Sequence, residues 1–173
     1  MAEAADYAAI ELLRNGRRVE IRALRPEDQA DLVRAVDQIG AESLYRRFFG
    51  PRREFTEQEI AFHVNVDFIR HVALIAVMEE GGRPVIVGGG RYVVVQPGLA
   101  EMAFAVTDEH QGQGIGRALM HHLAAIAREA GVKELVADVL PYNIPMLKVF
   151  RESGHEISIR RWQGVVHVTL QLS

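Results

Sequence analysis

Gln111-Gly112-Gln113-Gly114-Ile115-Gly116-Arg117-Ala118-Leu119 decides the reading of this chain. It comes directly after the apolar, strand-like run Met102-Ala103-Phe104-Ala105-Val106 and opens a helical pattern that continues to about Ala130. A strand that breaks into a glycine-rich turn and then a helix is suited to hold an anion. Glycine reaches backbone conformations that a Cβ forbids. The first amides of the helix have no intrahelical partner and lie at its positive end. A diphosphate matches such a cradle.

Spacing separates three kinds of phosphate carrier. A nucleoside-triphosphatase loop needs a Lys-Ser/Thr pair after its last glycine. Here Arg117-Ala118 follows Gly116, and the nearest lysine is Lys133. A dinucleotide fingerprint needs G-x-G-x-x-G at the start of a βαβ unit, with an acid about 20 residues on. This chain has G-x-G-x-G; Asp138 lies at a suitable distance, but too little chain follows for a doubly wound sheet. The third carrier is coenzyme A.

Gln111 to Gly116 matches the Q/R-x-x-G-x-G/A motif, and in that motif the chain resembles the GNAT acyltransferase superfamily. The resemblance runs from about Arg18 to Leu172. It takes in Val106 before the loop, Leu119 in the helix, the strand Val136-Ala137-Asp138-Val139, then Asn143 and Phe150 ahead of Gly154. Arg25-Pro26-Glu27-Asp28, Tyr45-Arg46-Arg47-Phe48-Phe49 and Asp67-Phe68-Ile69-Arg70 are similar to the catalytic domain of bacterial Pat-type protein lysine acetyltransferases. The fold implied is one GNAT-like α/β (α+β) domain over residues 18–173. Its central sheet would be mixed but mostly antiparallel, with about seven strands and about four flanking helices. Residues 1–17 are expected to be a short leader, helix or tail.

Patterning supplies the order of elements independently of the resemblance. Val19 to Leu24 alternates as a strand. Pro26-Glu27-Asp28 opens a helix with the stripe Leu32, Val33, Val36 and Ile39, ended by Gly40. Ser43 to Phe49 reads as a short helix, and Thr56 with Glu59 caps another through about Asn65. His71 to Met78 and Val85 to Val95 form a hairpin about Gly81-Gly82, and Gln96-Pro97-Gly98 turns into Leu99 to Val106. Gly88-Gly89-Gly90 predicts a bulge or a close backbone approach in the middle strand. Glu134 to Leu140 is a strand, Asn143 to Ser153 a helix, and Ile157 to Arg160 with Val165 to Leu170 a closing hairpin.

Composition narrows the class. The 173 residues are 49% hydrophobic and 25% charged, enough for one well-packed domain. A net charge of -3 argues against a general nucleic-acid binder. Arginines cluster at 14, 17, 18, 22 and 25 and again at 46, 47, 52 and 53. Either cluster is explained by a solvated face; the second is alternatively a site for coenzyme phosphates or an acidic protein. The absence of cysteine excludes disulfides, thiolate metal sites and an acyl-cysteine intermediate. Met1 to Asp6 lacks a secretory pattern, and Val72 to Met78 is strand-sized rather than membrane-spanning. A cytoplasmic protein with neither membrane nor nucleic-acid partner is expected. The seven histidines show no ligand spacing, and no metal is expected; of His121-His122, one ring should face solvent and one a groove edge.

Acyl transfer from a thioester to an amine needs a neutral amine, a polarised carbonyl and a departing thiol. A lysine amine has an ordinary pKa of about 10.4, so a base or a desolvating pocket must free its lone pair. Glu101 is the candidate base. It shares a strand face with Leu99, Ala103 and Ala105, which leaves room for a substrate and predicts some desolvation. It also matches the acidic position of Pat-type enzymes, although an ordinary exposed strand glutamate would look the same. The resemblance implies that backbone at Phe104, Ala105 and Val106 pairs with the pantetheine arm. It implies that Gln111, Gly112, Gln113, Gly114, Ile115, Gly116 and Arg117 cradle the diphosphate. Asn143, Met146 and Phe150 complete the implied coenzyme contacts; a helix cap explains Asn143 equally well.

Phe150 departs from the family pattern, where a tyrosine often protonates the leaving thiolate. Tyr142 and Tyr92 are substitutes on sequence grounds, and a thiol with a pKa of about 8.5 is a tolerable leaving group without one. His155 follows Gly154 where the family has an aromatic. The expected activity is acetyl transfer from acetyl-coenzyme A to a primary amine by direct attack in a ternary complex, with a protein lysine as acceptor. Tyr45 to Phe49 and the Thr56-to-Asn65 helix would wall the acceptor site, or else pack under the sheet. A small amine, amino acid or polyamine would be served by the same parts. A non-catalytic acyl-coenzyme A sensor is the reading from a different class. Pat-type proteins often carry a fused regulatory domain; these residues leave no room for it, so a free-standing module or one regulated by another polypeptide is expected.

Overall fold

The computed structural model describes residues 5–37 and 66–172. Within them one eight-stranded sheet runs in the order β1-β2-β3-β4-β5-β6-β8-β7. The strands are β1 Ala8–Leu12, β2 Arg18–Ala23, β3 His71–Glu80, β4 Arg83–Gln96, β5 Leu99–Val106, β6 Glu134–Val139, β7 Glu156–Trp162 and β8 Val165–Gln171. A 3-10 turn, Pro26–Asp28, leads into α1, Gln29–Asp37. A second 3-10 turn, Asp108–His110, precedes α2, Ile115–Glu129; α3 is Ile144–Arg151. Every neighbouring pair is antiparallel except β5 with β6. One parallel pair cannot make a doubly wound dinucleotide fold, so the topology removes that reading of the glycine loop.

The expectation for residues 1–17 is corrected here. Ala8–Leu12 is neither helix nor tail but a strand, antiparallel to β2 and joined to it by a turn through Gly16, whose φ is +84°. The sheet therefore has one strand more than expected. The helices expected at 43–49 and 56–65 lie outside the described residues.

Both faces of the centre are covered. β3 is buried from His71 to Met78, so it reads as an unbroken apolar run rather than an alternation. Val72, Leu74, Ala76 and Met78 join the core beneath α2, which buries Ile115, Leu119, Leu123 and Ala127 at helical spacing. Ala73, Ile75 and Val77 form a second core with Leu24, Ala35 of α1 and Ile86. Each fully buried leucine contributes roughly 1.5–3 kcal/mol through lost apolar exposure.

The glycine run in β4 has the physical cause expected of it. Register slips between Ala76↔Gly88 and Val77↔Ile86, leaving Val87 as the extra residue of a bulge. A Cβ on Gly88 would stand 2.9 Å from the Ala105 carbonyl oxygen and 3.4 Å from Leu119 of α2. Gly88 thus lets β5 and the first turns of α2 close on the sheet.

At the entry to α1, Asp28 accepts from both terminal nitrogens of Arg22, at 2.9 and 3.0 Å, and from the Arg25 amide at 2.7 Å. Burial pushes the Asp28 carboxyl up, but Arg22, the Arg25 amide and their charges outweigh it and hold it below the usual range. Arg22 is therefore tied into the fold, not part of a solvated basic face.

Candidate active site

β5 and β6 pair only at Leu99↔Glu134, Ala100↔Leu135 and Glu101↔Val136. Beyond that point they part, and a cleft of about 500 Å³ opens between Met102–Val106 on one arm and Ala137–Val139 on the other. The parting strips β5 of a strand neighbour on that side, so its backbone is open to an extended, amide-bearing guest. The lining of the cleft continues through the glycine loop and residues of α3.

The loop is built as its composition requires. Gly112 and Gly114 have φ of +80° and +96°, in the left-handed region that disfavours side chains. Gly114 is the N-cap of α2 and offers no side-chain hydrogen bond to it. The first amides of the helix are thereby left to a ligand. A Cβ on Gly116 would meet only Val106 and Val149, each at 3.9 Å, an ordinary contact. Packing does not demand this glycine; close approach of a guest would. Gln111 donates from Nε2 to the Val106 carbonyl at 3.1 Å and anchors the start of the loop to the end of β5.

Asn143 caps α3, its Oδ1 accepting from the Met146 amide at 3.4 Å, and it also lines the cleft. Cap and cleft contact are therefore compatible. Phe150 is buried with its ring centroid 5.6 Å from that of Phe104, so the two rings join α3 to β5 at the apolar middle of the cleft. Phe104, Ala105, Val106, Met146 and Phe150 line this middle; Gln111, Gly112, Gly114, Ile115, Gly116 and Arg117 line its glycine end.

Other expected residues are placed differently. Gln113 does not line the cleft; its Oε1 accepts from Nδ2 of Asn15 on the β1–β2 turn at 3.1 Å. Glu101 is the last β5 residue paired with β6; it is exposed and does not line the cleft, which begins at Met102, so the expected desolvation is not found there. Tyr92 is excluded as a proton donor to the cleft. It is buried in the core, does not line the cleft, and burial pushes its phenol up to about 12. Tyr142 is half exposed and also lies off the lining. His121 is exposed as expected, but His122 faces away from the cleft: its ring bonds Tyr7 and Glu11, tying α2 to β1. Arg46, Arg47, Arg52 and Arg53 lie outside the described residues, as do Tyr45 to Phe49 and the Thr56-to-Asn65 segment. Among the described residues no His, Asp or Glu cluster could hold a metal ion.

Sequence reading missed a polar brace behind the loop. Buried His110 bonds Thr107 Oγ1 through Nδ1 and Glu80 Oε1 through Nε2, both at 2.7 Å. Glu80 in turn accepts from Arg17 at 3.1 Å. Hydrogen bonds from His110 and then Arg17 hold the Glu80 carboxyl below its usual range. Isolated histidines carry no pattern, so nothing local in the sequence signalled this link. It also missed Arg14, which lines the glycine end of the cleft.

Comparison with known proteins agrees with the geometry. Residues 40–155 match the model of the Acetyltransferase (GNAT) family. An acetyltransferase of Pseudomonas aeruginosa is 30% identical over 127 residues, covering 73% of this chain and 68% of its own. The acetyltransferase Pat of Mycolicibacterium smegmatis is 32% identical over 156 residues, covering 89% of this chain but 46% of its own. The chain thus spans about half the length of that relative. The crystal structure of the GNAT domain of S. lividans PAT superposes with a TM-score of 0.86 at 34% identity, covering 95% of this chain and 96% of that one. The chain belongs to the GNAT acetyltransferase family, N-acetyltransferases that draw their acetyl group from acetyl-coenzyme A.

Proposed function

We propose that this chain acetylates a protein lysine by direct attack of the amine on acetyl-coenzyme A within one ternary complex. The observation that carries the reading is the parting of β5 and β6 at Glu101. It sets Glu101 one residue before Met102, where the lining of the cleft begins, and that lining runs on through the apolar end of β5 to the glycine loop.

In this reading Glu101 accepts the proton that the attacking amine must lose. The new C–N bond forms as the thioester C–S bond breaks, and the sulfur departs as thiolate or takes a proton from solvent. Open amides of β5 on the cleft side meet the carbonyl oxygen as it gains charge. Phe150 contributes shape rather than a proton. The alternation of β5 and β6 sets Glu101 and Asp138 on the same sheet face, since Glu101 pairs with Val136. A face with two carboxylates also suits a small polycationic amine, and that is the second reading.

Free-thiol release from acetyl-coenzyme A, measured with a lysine peptide mixture and with a polyamine panel, tests both. Peptide-dependent release supports the first reading, and release with small amines alone moves the acceptor to the second. Coenzyme binding without release from any acceptor favours the non-catalytic sensor.

A further inference from the structure

The β1–β2 turn reaches the glycine-loop end of the cleft, although 96 residues of sequence separate Arg14 from Gln111. The turn is built rigidly. The Leu13 amide donates to the Arg17 carbonyl at 2.8 Å, the Gly16 amide to the Leu13 carbonyl at 2.9 Å, and the Arg17 amide to Asn15 Oδ1 at 3.0 Å. It is then fastened at two points. Asn15 bonds Gln113 within the glycine loop, and Arg17 bonds Glu80, which holds His110 beneath the same loop. Arg14, between these fastenings, is exposed and lines the same cleft as Gln111, Gly112 and Arg117.

Charge makes the placement informative. Among the described residues, neither Arg14 nor Arg117 enters an ion pair. Two arginines that line one cleft, whose glycine loop opens a helix with no capping side chain, give that cleft positive charge that a bound anion would offset. The nucleotide end of coenzyme A carries a diphosphate and a ribose phosphate monoester. Guanidinium groups pair with phosphate oxygens through two parallel hydrogen bonds.

We propose that Arg14 is a phosphate ligand of the coenzyme, so that the β1–β2 turn and the glycine loop form the two jaws of one phosphate clamp. The proposal rests on the coenzyme-dependent reading of the cleft. It adds a jaw contributed from outside the strand–loop–helix unit.

The test titrates coenzyme A and 3′-dephospho-coenzyme A calorimetrically into the wild-type chain, Arg14→Gln and Arg14→Lys. Arg14→Gln should weaken coenzyme A binding about tenfold, the usual scale for one charge-assisted contact, with Arg14→Lys intermediate and melting temperature unchanged. In turnover it should raise KM for the coenzyme and leave kcat at saturation unchanged. An equal loss for both ligands assigns Arg14 to the diphosphate; a loss for coenzyme A alone assigns it to the ribose phosphate. Binding of both ligands within twofold of wild type overturns the proposal. Wild-type protein that binds neither ligand overturns the coenzyme reading itself, a separate result.

Discussion

Glu101 and Val136 are the last partners in the only parallel ladder of the described sheet. One residue further along each strand, the hydrogen bonds of β5 have no partner on β6, and the cleft begins. The carboxylate and the opening are thus products of one event, the end of a strand pairing. That places the proposed base beside the open backbone of β5.

Replacing Glu101 with Gln keeps the shape of the side chain and removes the proton acceptor. The expected result is a loss in kcat of about 100-fold or more, the scale of general-base catalysis, with coenzyme affinity unchanged. Stopped-time thiol release and calorimetry on the same sample read the two quantities separately. A turnover rate near wild type would dismiss Glu101 as the base.

Gly88→Ala should destabilise the domain by about 1–3 kcal/mol, because its Cβ would stand 2.9 Å from a backbone oxygen that cannot swing aside. The push falls on β5 at Ala105, so coenzyme affinity should drop as well. Urea denaturation and coenzyme titration measure the pair of effects. Gly89→Ala makes a softer control, with the nearest atom at 3.3 Å.

Gly114→Ala isolates backbone conformation from space. A Cβ there would meet no atom within 4 Å, yet φ is +96°. Strain of about 1–2 kcal/mol is expected, together with a weaker coenzyme site, since relaxing the strain turns the helix-start amides away. At this chain length the melting temperature should fall by a few degrees, on the scale of about 2–4 °C per kcal/mol.

Stability should fall in mild acid, and His71 should account for part of it. Its Nε2 lies 2.9 Å from Nη1 of Arg91, which can only donate, so the ring nitrogen must keep its lone pair. Burial and then the Arg91 charge push His71 down to about 4 from the ordinary 6.5. The unfolded chain therefore binds this proton first. The stabilisation is whole above pH 6.5 and is lost as pH falls from 6.5 to 4, about 3 kcal/mol in all. Asp28 and Asp67, whose carboxyls are lowered, add losses of the same sign at still lower pH. Denaturation midpoints at several pH values test the slope, which His71→Gln should flatten between 6.5 and 4.

Much of the cleft was legible in the chain because it is local. The break from Val106 through the glycines into Ile115 spans a single strand–loop–helix unit, and its glycine positions report backbone conformation directly. Asn143 announced its cap in the same way. For other residues the type was legible but the direction of the side chain was not. Gln113 sits within the motif, yet its side chain turns outward to Asn15. Tyr92 has the chemistry of an acid, but strand alternation at Tyr92↔Met102 points it into the core. Ala8–Leu12 is short and rich in alanine, with too few alternations to declare a strand until β2 pairs with it.

The sequence by itself determined the order of the elements, the glycine loop at the start of α2 and the apolar faces that drive the sheet and helices together. These depend on periodicity and on the conformational freedom of particular residues, which act over a few positions of chain. The tertiary structure alone decided where β5 and β6 part, that Arg14 of the β1–β2 turn lines the cleft, and how Thr107, His110, Glu80 and Arg17 are linked beside the glycine loop. Those features arise from contacts between residues far apart in the chain. Their side chains meet only after the sheet has fixed its register, so no local pattern records them.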